Sequence, residues 1–157
     1  MEIGNIVAKP LALKDWWKFD HDFEEFLKES SYDRLGMDRD TVESYYKLSL
    51  VDGNCLFAVL EHEPDSKILG FTILHTTPRS EVIGGKFVNY LDAFVRGLYV
   101  SPKAHRQASS KLDILVTEWA RSLKITRIYG HCRPGFPVEF AKSRGFDCKY
   151  IVIERSV

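Results

Sequence analysis

The sequence predicts one α/β domain over residues 1–157, a mixed sheet whose faces are covered by helices. Three observations carry this expectation. Apolar, β-branched and aromatic runs such as Cys55 to Leu60 and Phe87 to Val100 alternate along the chain with segments of helical periodicity. Turn-forming groups, Asp52-Gly53-Asn54 and Pro64-Asp65-Ser66, separate short runs in the manner of antiparallel hairpins. A hydrophobic content of 45% and an aromatic content of 13% in 157 residues suffice to fill a single core.

Element by element, Ile3 to Ala8 reads as a first strand ending at Pro10. From Leu13 to about Ser30, Trp16, Phe19, Phe23, Phe26 and Leu27 recur at three- and four-residue steps, the stripe of an amphipathic helix. The polar segment SSYDRLGMD connects it to a second helix, for which Asp40 is the expected cap with Glu43 three residues on. Val42, Tyr45, Tyr46 and Ser49 are expected to share a face of that helix, as core. Cys55 to Leu60 and Ile68 to His75 form a hairpin across the EHEPDSK turn, Thr76 to Gly85 reads as a loop, and Phe87 to Val100 as a long strand in which Gly97 marks either a bulge or a close approach of another backbone. Leu112, Leu115, Val116, Trp119, Ala120 and Leu123 mark the next helix. Arg127 to Cys132 is a strand, Arg133 to Pro137 a loop, Val138 to Arg144 a brief helix closed by Gly145 as its C′ residue, and Tyr150 to Ile153 a last strand.

Composition narrows the function. A net charge of +0 and a pI near 7.0 provide no bulk field for nucleic acid or an anionic membrane. No apolar run approaches the roughly 20 residues needed to cross a bilayer, and the N-terminus lacks a basic segment followed by an apolar one, so a cytoplasmic setting is expected. Cys55, Cys132 and Cys148 form no CxxC pair and are odd in number, which suits free thiols. His131 and Cys132 are adjacent without a second pair at ligand spacing, so no metal site is expected.

The chemistry gathers in LYVSPKAHRQASSKLDILVTEWARSL, Leu98 to Leu123, where a strand enters a basic turn that opens a helix. Lys103, His105, Arg106 and Gln107 precede the first helical amides, whose unpaired N-H groups and positive dipole end attract phosphate. This order, with YVSPKAHRQASSKL, Gly145-Phe146 and the closing strand, resembles the GCN5-related N-acetyltransferase (GNAT) superfamily over nearly the whole chain. Against the family's V-x-P-x-x-R/Q-x-x-G-x-G/A turn, Val100 and Pro102 match, His105 takes the Arg/Gln place, and Ala108 and Ser110 stand where glycines are usual.

The resemblance implies a mostly antiparallel sheet with a central V-shaped splay and helices on both faces. It also implies acetyl-CoA as co-substrate, its pyrophosphate at His105, Arg106, Gln107, Ala108, Ser109 and Ser110. The pantetheine arm would pair with the strand end, leaving the thioester beside the amides of Leu98, Tyr99 and Val100. The implied activity is transfer of acetyl to a small-molecule or protein amine by direct attack on the thioester. The alternative is a catalytically inactive GNAT-fold binding or structural module, such as a phage-particle or host-interaction protein, with a homodimer or assembly partner. Ala141 stands where the family's tyrosine acid is usual, and Pro134 falls on or near the place of an asparagine. The candidate bases are therefore Asp92 on the long strand, His75 and His131, with Tyr129 among the candidate acids.

Overall fold

A computed structural model describes residues 5–29, 38–101, 104, 106–130, 142 and 145. Five strands form one sheet in the order β1-β2-β3-β4-β5. The strands are β1 (Ile6–Pro10), β2 (Cys55–His62), β3 (Lys67–Ile83), β4 (Lys86–Val100) and β5 (Arg127–Gly130). The first four pair antiparallel with their neighbours, and β5 runs parallel to β4. The helices are α1 (Trp16–Glu29), α2 (Arg39–Val51) and α3 (Arg106–Ser122). A parallel pair needs a long crossover, and α3 supplies it between β4 and β5.

The two-residue alternation of the strands sorts the core into two layers. Phe57, Val59, Phe71, Ile73 and Tyr99 face α1 and α2 and pack with Trp16, Phe19, Phe23, Val42 and Tyr46. Leu56, Ala58, Leu60, Leu74 and Ala93 face α3 and pack with Ala108 and Leu112. Phe19 meets Phe71 and Phe57 edge-on, with ring centroids 4.9 and 5.4 Å apart. Each such pair adds about 1 kcal/mol beyond the area it buries. Trp16, Phe19 and Phe23 of the first helix are core, as their spacing predicts.

Four expectations need correction. The cap of α2 is Asp38, whose carboxylate accepts the Thr41 N-H at 2.9 Å and the Thr41 hydroxyl at 2.7 Å. Asp40 lies inside the first turn. Tyr45 is half-exposed while Val42, Tyr46 and Ser49 are buried, because it sits at the margin of the stripe. Leu123 is likewise exposed, lying just past the end of α3. The largest change is Thr76 to Ile83, expected as loop, which extends β3 into a two-stranded arm with β4. Gly84 and Gly85 turn the arm with φ of 57° and 77°, the pair of positive values a type I′ hairpin demands. Pro78 is tolerated there because the Thr76 N-H points toward the β2 side, to Asn54 O at 2.8 Å. Two residues on, the nitrogen of Pro78 faces the same edge, beyond the end of β2, where no ladder bond is lost.

The Arg127 to Cys132 strand is matched over Arg127–Gly130. Gly145 has a φ of 78°, the left-handed value of a C′ glycine, and its N-H bonds Lys142 O at 2.9 Å. The expected connection after Ser30, the loop after Arg133, the brief helix and the last strand lie outside the described residues, apart from Lys142 and Gly145. No helix among the described residues is long and apolar enough to cross a membrane.

Candidate active site

Strand β4 changes character halfway along. Asp92, Ala93, Phe94 and Val95 pair with Arg127, Ile128, Tyr129 and Gly130 of β5, and no described residue of β5 pairs with Arg96 to Val100. On the other edge, the register with β3 steps from Ile73–Gly97 to Leu74–Val95, so Arg96 is the extra residue of a bulge. The sequence places this irregularity at Gly97, one residue away. The Ser101 N-H bonds Leu69 O at 2.8 Å, so Ser101 and, by alternation, Tyr99 point their N-H groups at β3. The same alternation turns the amides of Leu98 and Val100 to the opposite edge. Tyr99 itself is a core ring, buried beside Phe71, whereas Leu98 is exposed.

Beyond Val100 the chain turns through Ser101 and Ala104, which are joined by an N-H to O bond of 2.8 Å, and enters α3 at Arg106. The first amides of a helix have no intrahelical acceptor, and here they include those of Arg106, Gln107 and Ala108. Ala108 is fully buried in the layer against the sheet, and the short Ser109 side chain is buried too, while Ser110 is exposed. A residue larger than alanine at 108 would not fit this packing. Lys103 and His105 lie outside the described residues.

A hollow of about 320 Å³ opens on the α2 side of the sheet, lined by Tyr45, Leu48, Ser49, Val51, Asp52, Cys55 and the bulge residue Arg96. The Arg96 guanidinium lies 5.3 Å from the Tyr45 ring centre and donates to the Tyr45 hydroxyl. Leu48 and Val51 leave an exposed apolar rim. Behind the lining residues Asp52 and Cys55, His75 Nδ1 lies 3.1 Å from Cys55 Sγ and 3.7 Å from Asp52 Oδ2, and Cys55 Sγ lies 3.6 Å from Asp52 Oδ2. Burial, and then the Asp52 carboxylate, push the Cys55 thiol up to about 11, so it is a neutral thiol at physiological pH and no nucleophile. The Asn54 backbone N-H, the strongest influence on Asp52, holds that carboxyl below the usual range. Sequence spacing finds His75 but not its partners, which the β2–β3 register supplies.

Asp92 is 1% exposed. Its carboxylate takes donors from Arg79 at 2.9 Å, Arg127 at 2.7 Å and Thr126 at 3.0 Å. Burial raises its pKa, but hydrogen bonds from Arg127 and Thr126 and the two guanidinium charges outweigh it, and the net shift is downward. Such a carboxylate is a poorer base than an ordinary aspartate and serves to tie β3, β4 and β5 together. Tyr129 lies half-buried opposite Phe94, 5.2 Å between centroids, with Arg127 over its ring, beside the last described β4–β5 pair. His131 lies outside the described residues.

No family model matches the sequence, and a search of curated proteins finds no match. Solved structures do match. The aminoglycoside 6'-N-acetyltransferase AAC(6')-Ih from Acinetobacter baumannii superposes with a TM-score of 0.69 at 13% identity, covering 97% of each chain. AAC(6')-Iy in complex with a CoA bisubstrate analog, CoA-S-monomethyl-acetylneamine, gives 0.72 at 14% identity over 97% of each chain. The chain has the GNAT fold. A further GNAT-fold structure, glucosamine-6-phosphate N-acetyltransferase from Arabidopsis thaliana, gives 0.64 at 14% identity, covering 96% of this chain and 97% of that one.

Proposed function

We propose that this GNAT-fold chain is an acetyl-CoA-dependent N-acetyltransferase acting on an amine. The observation that carries the reading is the edge of β4 between Arg96 and Val100, which no described residue of β5 pairs with, to which the amides of Leu98 and Val100 turn, and whose bulge residue Arg96 lines a hollow. The pantetheine arm adds to this edge by main-chain hydrogen bonds, as an extended peptide adds to a sheet. The amides of Arg106, Gln107 and Ala108 receive the pyrophosphate at the N-terminus of α3. Ala108 and Ser110 are the smallest side chains after glycine and leave the backbone approachable.

The acceptor amine enters from the Arg96–Tyr45 hollow and attacks the thioester carbonyl. Fixed main-chain donors of β4 stabilise the resulting oxyanion, each commonly worth about 3 kcal/mol. His75, oriented through Nδ1 by Cys55 and Asp52, takes the proton of the amine, and Tyr129 returns a proton to the departing thiolate. The AAC(6')-Iy complex with its CoA bisubstrate analog supports coenzyme A as the co-substrate of this fold. The acceptor class remains an amine, with the neighbouring aminoglycoside and amino-sugar enzymes as starting points for a substrate panel.

The test is release of free coenzyme A from acetyl-CoA in the presence of a panel of aminoglycosides, amino sugars, polyamines and peptide amines. Amine-dependent release that falls by about 10²-fold in Tyr129→Phe supports the reading. Absence of release with every amine would leave the binding-module alternative, which the non-glycine turn residues Ala108 and Ser110 favour.

A further inference from the structure

We propose that Asp52, Cys55 and His75 bind a divalent, thiophilic cation, zinc by the chemistry of the set. The three ligand atoms stand 3.1, 3.6 and 3.7 Å apart. A tetrahedral zinc with bonds of about 2.3 Å to sulfur and 2.0–2.2 Å to nitrogen and oxygen has edges of roughly 3.3–3.6 Å between ligands. The triangle is therefore already close to one face of that tetrahedron, and all three side chains are partly accessible.

The backbone holds the triangle in place. Cys55 and His75 are directly opposed on β2 and β3, where successive residues alternate between faces, so both side chains share the α2 side of the sheet. The Cys55 N-H bonds Asp52 O at 3.0 Å and the Thr76 N-H bonds Asn54 O at 2.8 Å, which pins the turn carrying Asp52 to both strands. Asp52 Oδ1 accepts the Asn54 N-H at 2.9 Å, leaving Oδ2 to the cluster. That outer hydrogen bond orients the ligand, as in established metal sites. Asp52 and Cys55 line an open hollow, and a set of three protein ligands leaves a fourth position for water.

The charges also close. On binding, the Cys55 proton passes to solvent and the sulfur electron pair forms the bond to the metal, which stays divalent. The thiolate and the Asp52 carboxylate then balance its two charges. Arg96, the cation lining the same hollow, is engaged by Tyr45. The site rests on these three side chains and not on acyl transfer: a cation on His75 Nδ1 leaves Nε2 protonated, so the base role of His75 belongs to the metal-free chain and the metal-bound chain is without it.

The experiment is a Co²⁺ titration of the metal-free, reduced full-length chain, followed by absorption. The expected result is a thiolate-to-cobalt charge-transfer band with visible bands of tetrahedral cobalt, saturating at one equivalent and bleached by Zn²⁺. Cys55→Ser abolishes the charge-transfer band, and His75→Gln weakens binding by about tenfold or more. The double variant Cys132→Ser, Cys148→Ser keeps Cys55 as its sole thiol and retains the band, so the outcome does not depend on Cys55→Ser folding. No band in the wild type, its loss in the folded double variant, or its survival in Cys55→Ser overturns the site. Because absorption reads binding without catalysis, a chain that transfers no acetyl group can still pass or fail.

Discussion

At position 92 a carboxylate is buried beneath three donors, and removing its charge has a definite cost. Asp92→Asn leaves Arg79 and Arg127 without their shared anion and lowers stability at neutral pH by about 2–3 kcal/mol, measured by urea unfolding. The pH dependence has a fixed sign. Asp92 titrates below its ordinary value, burial being outweighed by Arg127, Thr126 and Arg79. Glu61 does so as well, its burial outweighed by Lys9 and Lys18. A carboxylate whose pKa is depressed on folding stabilises the chain above its unfolded pKa, about 4, and loses that contribution as pH falls through the folded value. Wild-type stability therefore drops on acidification below about pH 5 more steeply than that of Asp92→Asn, and the two curves converge in acid. Parallel curves would contradict the assignment. Tyr129→Phe belongs to the same scale: kcat falls by about 10²-fold while acetyl-CoA affinity is kept.

Among the elements, the β3–β4 pair decides most. Gly70 faces Val100, and an added Cβ would stand 2.7 Å from Tyr99 O and 3.0 Å from Val100 Cα, both backbone atoms. Gly70→Ala must part the strands, costing about 1–3 kcal/mol and disturbing the edge proposed for pantetheine, which thermal unfolding and the KM for acetyl-CoA both report. The stripes of α1 and α3 were readable from helical periodicity, and the hairpin from Cys55 to His75 from its apolar runs on either side of a turn, since both its faces are buried. The arm from Thr76 to Ile83 was not, because Val82, Ile83 and Phe87 are exposed and no burial alternation marks it. The choice between Asp38 and Asp40 as the α2 cap depends on Thr41, which both precede. The cluster at Asp52, Cys55 and His75 escaped for a different reason: His75 stands 20 residues from Cys55 and is brought to it by a strand register that spacing motifs do not encode. Asp92 was visible as a strand carboxylate, but its partners at 79 and 127 come from two other strands.

For the molecule as a whole, the fold is shared with N-acetyltransferase structures at 13–14% identity, so the likeness lies in the backbone and not in the side chains. The proposed activity leans on backbone groups accordingly, those of the β4 edge and the helix N-terminus. Arg106→Glu, which places an anion at that terminus, is expected to weaken acetyl-CoA binding by at least tenfold in calorimetric titration. The most direct test of the account is thermal unfolding with acetyl-CoA. A ligand at 100 times its Kd stabilises the folded state by about 2.7 kcal/mol, which for a chain of this size raises Tm by roughly 5–10 °C. The account predicts such a rise, saturating with acetyl-CoA and lost in Arg106→Glu. An unchanged Tm at millimolar acetyl-CoA would contradict it.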